Sequence, residues 1–391
     1  MLLAAQLRQA GCTLSVKTIF NMPALSAQAG ACVWSTVQSI VQTDAGLVPM
    51  TPIFSWFIRA FGVHARFNLT AVVEHVSAFA ADGALEALAV SLANTHALLR
   101  ASIHDGQLFV NSPLTIDNAG SFVRRSNGFG AAILEEAHAA INMTDGVPFI
   151  LVFDGRSTIV AIVSHAISDV VSMALLAAHV RNVAAGERPM EPQGSFTAYA
   201  LSLQEHQGTA SCAAFWRDMA SRQMSLPPLD TGRSGERTAC LSTETSFATI
   251  NSLVNSLGGR LETAITSIFA LALHSLADGD EVAFDMEGHG LDFECASDLG
   301  SVVGWFTCIY PLAICLTGNA KNKIAAIRDA LALVSHCGPT SYVSIDSDFS
   351  NTGNIVLFNF LGTIESQLIT GGPLTPTLHS GSRMPWLSMR T

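Results

Sequence analysis

Charge is scarce in this chain: only 13% of its 391 residues are Asp, Glu, Lys or Arg, and 20 basic residues stand against 31 acidic ones. No Lys/Arg block occurs and the formal net charge is −11, which argues against the electrostatic footprint of a nucleic-acid-binding protein. The eight cysteines, at 12, 32, 212, 240, 295, 308, 315 and 337, form no CxxC pair and no Cys/His cluster at zinc-ligand spacing. No metal site is expected, and the cysteines read as reduced core residues of a cytoplasmic protein. Long apolar runs are missing too. ITSIFALALHSLA, at 265–277, falls short of the roughly 18 residues needed to cross a bilayer, so no membrane association is expected. MLLAAQLRQAG at the start lacks a basic region and a small-residue cleavage pattern, which argues against a signal peptide.

What the chain does have is core-forming material. Hydrophobic residues make up 49%, and 391 residues suffice for two domains of roughly 150 or more residues each. The spacing predicts short helical elements over LLAAQLRQA and LSVKTIFN, with Gly11 as a helix stop and Pro23 opening a third element. GLVPMTP, at 46–52, reads as a linker. ARFNLTAVVEHV alternates like a strand, GALEALAVSLANTHALL carries apolar residues at helical spacing, and IVAIVS is a buried strand leading into a helix of about ten residues, DVVSMALLAAHV. A second subdomain is expected after the polar stretch at 226–236: helix 262–277, strand EVAFDM, a Gly-rich turn EGHG, strand WFTCIYPLAICL, helix KIAAIRDALALV and strand NIVLFNF. Strands and helices interleave in both halves, the pattern of a mixed α/β architecture.

Two constellations could carry chemistry. In VSHAISDVVSM, at 163–173, His165 precedes Asp169 by four residues, a spacing that 12 histidines and 31 acidic residues would produce about once by chance. The bland reading is a satisfied histidine at a strand end. The functional one is that Asp169, in the first turn of the following helix, is stabilised by the helix dipole while His165 projects beside it as a base suited to neutral pH. Ser164 and Ser172 lie nearby, but a serine hydrolase needs a GxSxG elbow and triad members from separate segments, and neither is present. In EGHG, Gly288 and Gly290 permit either a tight turn or a close backbone approach of substrate to Glu287 at a strand end. The residues alone leave both open.

Taken in order, these pieces resemble domains of the nonribosomal peptide synthetase condensation superfamily, and within it the epimerization branch. VPMTPIFSWF is similar to L-T-P-I-Q-x-W-F, RFNLT to H-F-N-Q-S, THALLRASI to H-H-D-x-L-R, and SHAISDVVSM to H-H-x-x-x-D-x-x-S-W. MEGHGLD resembles E-G-H-G-R-E, VVGWFTCIYPL resembles T-V-G-W-F-T-x-x-Y-P, and VLFNFLGTIE resembles F-N-Y-L-G-Q-F-D. The likeness covers residues 46–366, and the last three motifs distinguish epimerization-like members. An S-H-x-x-x-D motif also occurs in terminal cyclising domains of fungal synthetases, which are not expected to carry EGHG with VGWFT. LRQAGCTLSVKTIFNMPALSAQA is similar to the last helices of a peptidyl carrier domain.

The resemblance implies two chloramphenicol-acetyltransferase-like subdomains in a V, at 46–228 and 229–391, the second incomplete, preceded by a carrier remnant at 1–34. The chain would then be a fragment of a larger synthetase, or a gene model begun at an internal methionine. Its substrate would be an aminoacyl or peptidyl thioester on the 4'-phosphopantetheine of a carrier domain, with adenylation and condensation domains as assembly-line partners and no cofactor of its own. His165 and Glu287 would be the two proton-transfer groups, with burial raising the pKa of the glutamate. Asp169 would pair with Arg100, with Ser172, Gly288, His289, Gly290 and Asn359 in support. Ser164, Met173, Leu291 and Phe54 depart from the family pattern, standing where it has histidine, tryptophan, arginine and glutamine.

Overall fold

A computed structural model describes residues 7, 11–14, 18, 22, 24–34, 44–62, 67–205, 210–222, 224, 247–257, 261–290, 299–338 and 356–360. The expected helix over 2–10 except Leu7, most of LSVKTIFN, the boundary at 226–236, Leu291 and the tail after 360 lie outside the described residues. The described residues form two compact units: one of those within 7–205 together with 299–306, the other of those within 210–290 together with 307–360.

The first unit opens with a short antiparallel pair, β1 (Cys12–Thr13) and β2 (Val33–Trp34), with helix α1 (Leu25–Ala31) between them in sequence. β3 (Gly46–Val48) leads into helix α2 (Pro52–Phe61), so the expected linker is instead a strand and a helix start. The hydroxyl of Thr51 accepts from the Phe54 amide at 3.4 Å, and Pro52 occupies the first turn, where its missing N–H is no loss. After β4 (Asn68–Val73) and α3 (Ala84–Thr95), the hairpin β5 (Ala101–His104) and β6 (Gln107–Val110) turns at Asp105 and Gly106, with φ 51° and 74°. β3 joins this hairpin on the β6 side. Next come β7 (Val123–Arg125), α4 (Ala131–Ala140), β8 (Phe149–Phe153), β9 (Ile159–Ser164), α5 (Val170–Ala184) and α6 (Phe196–Glu205).

The main sheet runs β4-β9-β8-β7, with β7 parallel to β8 and the other neighbours antiparallel. FILVF and IVAIVS show no polar alternation, and every residue of β8 and β9 is buried, as a strand covered on both faces requires. Ile150, Val152, Val160 and Ile162 pack with Ala137 of α4 on one face. α5 runs along β4 and touches α3. Within that helix pair His96 Nε2 lies 3.1 Å from His179 Nδ1, and His179 Nε2 lies 2.9 Å from the Ser91 hydroxyl. Burial lowers both imidazoles, to about 3 for His96 and about 4 for His179, so each is neutral across the ordinary pH range.

In the second unit a three-stranded sheet has the order β11-β10-β12. β10 (Glu281–His289) pairs antiparallel with β11 (Thr307–Cys315) and parallel with β12 (Leu357–Asn359). Helices α7 (Ala210–Ser221), α8 (Phe247–Ser256), α9 (Leu261–His274) and α10 (Ala320–Cys337) complete it. Phe269 of α9 stacks on Phe358 with ring centroids 4.3 Å apart and meets Phe284 edge-on at 5.1 Å, while the buried Trp216 of α7 meets Tyr310 at 5.6 Å. Phe284, Tyr310 and Phe358 point to one face by strand register, so that face is the helix-covered one.

One expectation needs correction here. Cys212 and Cys337 are not free thiols: α7 and α10 both pack against β11, which brings their Cα atoms to 5.2 Å, and the two form a disulfide. A separation of 125 residues left no local trace of this pairing. Cys12, Cys32 and Cys315 form no disulfide. Among the described residues no helix is long and apolar enough to cross a membrane, and no group of His, Cys, Asp or Glu could hold a metal ion.

Two outcomes follow. Reduction, or Cys337→Ser, should lower unfolding stability by about 2–4 kcal/mol in denaturant titrations, since the loop released is long; an unchanged midpoint would show that the bridge contributes nothing. Separately, an unfolded chain protonates His96 and His179 below about 6.5, whereas the folded chain resists until about 3 for His96 and about 4 for His179. Stability is therefore complete above 6.5 and falls as pH drops below it, by up to ~1.4 kcal/mol per pH unit for each histidine. Urea midpoints from pH 7.5 to 5 should show this slope, and His179→Gln should flatten it.

Candidate functional site

β9 ends at Ser164, and the chain turns tightly over His165–Ile167 before α5. Two serines shape this turn: Ser164 Oγ accepts from the Ala166 amide at 3.3 Å, and Ser168 Oγ donates to the Ser164 carbonyl at 2.8 Å. The His165 amide donates to the Phe67 carbonyl at 2.6 Å, anchoring the turn to the segment before β4. A histidine in place of Ser164 could not make this short-range cap, so the departure from the family pattern has a local structural use.

The imidazole of His165 lies against two aromatic rings, Trp305 at a centroid distance of 4.6 Å and Phe67 at 5.3 Å. Its Nδ1 is buried with no hydrogen-bond partner, although the ring as a whole keeps some exposure. Burial lowers its pKa; its own carbonyl, the charge of Asp169 and the Ser168 carbonyl oppose that shift without cancelling it. The neutral imidazole is the form that can accept a proton.

Asp169 is the N-cap of α5, where its Oδ1 accepts from the Ser172 amide and the Ser172 hydroxyl, each at 2.8 Å. Its other oxygen accepts from the Phe306 amide at 3.4 Å. Ser172 Oγ is also 2.9 Å from the Gly304 carbonyl and accepts from the Gly304 amide at 3.0 Å. One helix start thus holds residues 304–306 from below. From the other side, Phe196 and Tyr199 of α6 meet Phe306 at 5.2 and 5.0 Å, and a Cβ at Gly304 would overlap the Phe196 ring.

The expected Asp169–Arg100 ion pair does not form. Arg100 donates to the Ala93 carbonyl at 2.5 Å and the Asn111 carbonyl at 3.1 Å, and the carboxylate it feels is Asp44. Asp44 in turn holds the start of α6, accepting from Ser195 Oγ, from the Phe196 amide at 3.3 Å and from the Thr197 amide at 3.1 Å. No local signal marked Asp44, which precedes the GLVPMTP stretch. Phe67, Gly304 and Trp305 were visible in the RFNLT and VGWFT segments but carried no assigned role.

Glu287 belongs to the second unit. EGHG is not a turn: β10 continues through Gly288 and His289, with Gly288 opposite Cys308 and His289 opposite Thr307. Strand pairing overrides the turn preference of glycine, and the space a Gly288 side chain would fill is taken by Tyr310, 3.0 Å from the Cβ position. Gly290, buried, follows the last paired residue. Glu287 is directly opposite Asn359 on β12 and Ile309 on β11. By strand alternation Glu287, His289, Thr307 and Asn359 share the face opposite the helices, with the buried Asp285 two residues back. The structure therefore gathers His165, Asp169 and Ser172 in one cluster and Glu287, Gly288, His289 and Asn359 in another.

Known proteins share both the sequence and the fold. A profile of the condensation domain family matches residues 149–348. The chain is 23% identical over 401 residues to the nonribosomal peptide synthetase opaA of Aspergillus ustus and 25% identical over 414 to chondramide synthase cmdD of Chondromyces crocatus, covering 94% of this chain in each case. It spans only 10% of the length of either. Among solved structures, the epimerization domain from the third module of tyrocidine synthetase B superposes with a TM-score of 0.65 at 17% identity, over 84% of each chain. A condensation domain of the enacyloxin polyketide synthase superposes at 0.57 with 19% identity, over 92% of this chain and 81% of that one. The mixed α/β fold is thus the chloramphenicol-acetyltransferase-like fold of these domains, and the chain belongs to the condensation domain family.

Proposed function

We propose that this chain epimerises, L to D, an aminoacyl or peptidyl thioester carried on the phosphopantetheine arm of a carrier domain, with His165 and Glu287 as the two proton-transfer groups. The observation that carries this reading is the strand register of the second unit. Segments of the three motifs that set epimerization-like members apart, Glu287–His289, Thr307–Leu312 and Phe358–Asn359, pair in one sheet, with Glu287 directly opposite Asn359. In the reaction a thioester acidifies the Cα proton; the neutral imidazole of His165 accepts it, the electron pair delocalises into an enolate, and Glu287, protonated, returns a proton to the opposite face. The arm arrives with the substrate and leaves with the product. Adenylation and condensation domains would supply and consume that thioester.

Amide-bond formation is the second reading, favoured by the family profile itself and by the peptide synthetases among the relatives. There His165 would take a proton from an attacking amine and Glu287 would have no chemical part. The chain, presented with a carrier loaded with the L-aminoacyl thioester in deuterated water, should incorporate one deuterium at Cα. His165→Ala and Glu287→Gln should each slow this by about 100-fold or more, the scale of one acid or base. Product formed only when a second loaded carrier is added, with Glu287→Gln at full rate, would establish condensation instead.

A further inference from the structure

We infer that Trp305 is a positioning residue for His165: its indole face fixes the orientation of the imidazole, and the Asp169–Ser172 pair acts by holding Trp305 there. The contact distances run in that direction. Neither Asp169 nor Ser172 is hydrogen-bonded to the His165 ring, and both instead hold the two backbone neighbours of Trp305, at Phe306 and Gly304. Ser172 Oγ accepts from the Gly304 N–H and Asp169 from the Phe306 N–H, so the segment's backbone is held on both sides of Trp305, while the single Ser172 proton goes to Asp169 or to the Gly304 carbonyl. Aromatic packing from Phe196 and Tyr199 closes the other side. Between the pinned residues the indole is presented to the imidazole at 4.6 Å, tilted by 45°. Phe57, with ring centroids 5.6 Å apart, packs edge-on against the same indole.

This arrangement answers a question the hydrogen bonds leave open. A histidine whose Nδ1 has no partner would ordinarily have its orientation set by a hydrogen bond at that nitrogen, and here it is not. The groups around the ring are Phe67, Trp305, the backbone carbonyls of His165 and Ser168, and one charge, Asp169. The tilted ring contacts act with those carbonyls to restrain the imidazole. Gly304 is glycine because a side chain would collide with Phe196 and push the segment off the histidine.

The experiment compares the whole chain with its Trp305→Phe, Trp305→Leu and Ser172→Ala variants, using His165 signals in proteins labelled at the histidine ring carbons, read by NMR from pH 5 to 8. The unvaried protein should show a single ring-current-shifted His165 resonance, identified by its loss in His165→Asn. Trp305→Phe should keep a shifted, narrow signal, while Trp305→Leu and Ser172→Ala should move it toward an unshifted position and raise its titration midpoint, with melting and circular dichroism confirming that each is folded. The kinetic arm alone rests on the epimerization reading: Trp305→Leu should lower kcat for Cα exchange about 10-fold or more with KM within about threefold, and Trp305→Phe should restore it. His165 signals indifferent to Trp305→Leu would overturn the inference. Shifted signals without any exchange in the unvaried protein would uphold it and dismiss the epimerization reading. If Trp305→Leu does not fold, the Ser172→Ala signal decides: an unmoved resonance there also overturns the inference.

Discussion

The carboxylate of Asp169 is the constraint on which the histidine site depends. It performs two tasks that a sequence places far apart: it caps the N-terminus of α5, and it binds the amide of Phe306. Buried carboxylates need compensation from hydrogen bonds, and this one receives two backbone amides and a hydroxyl in addition to the helix dipole. Ser172, one turn into the same helix, extends the bond set to Gly304. Because the carboxylate is satisfied in this way, it needs no arginine partner, and Arg100 is available to Asp44, which holds α6.

From that constraint the electrostatics of His165 follow. The ring sits between Phe67 and Trp305, where desolvation outweighs the attraction of Asp169 for a charged imidazole. Had Asp169 turned toward the ring rather than toward residues 304–306, the charged form would be favoured and the histidine would be a poor proton acceptor at neutral pH. The same desolvation logic governs His96 and His179, which are buried more completely and joined to each other, and which carry no exposed edge for chemistry. Burial lowers all three imidazoles, and of the three only His165 keeps part of its surface exposed.

Much of the fold was legible from local pattern. The unbroken apolar runs FILVF and IVAIVS announce strands covered on both faces, the capping sequence around Asp169 announces a helix, and the ordered motifs point to the family. α5 runs longer than the ten residues its apolar stretch suggested, because Arg181 and Asn182 continue the helix to Ala184 with polar side chains. What stayed hidden was everything set by partners distant in sequence: the disulfide across 125 residues, the hold of Asp44 on the start of α6, and the register that sets Glu287 opposite Asn359. EGHG misled for a physical reason. Its glycines signal a turn locally, whereas here one of them makes room for the Tyr310 ring inside a paired strand.

The clamp itself can be read without reference to any reaction, by hydrogen exchange at single amides. If Asp169 and Ser172 hold residues 304–306 as described, the amides of Gly304 and Phe306 exchange as slowly as those of β9, and Asp169→Ala releases both together while leaving β8 protected. Rapid exchange of those two amides in the unaltered chain would contradict the account.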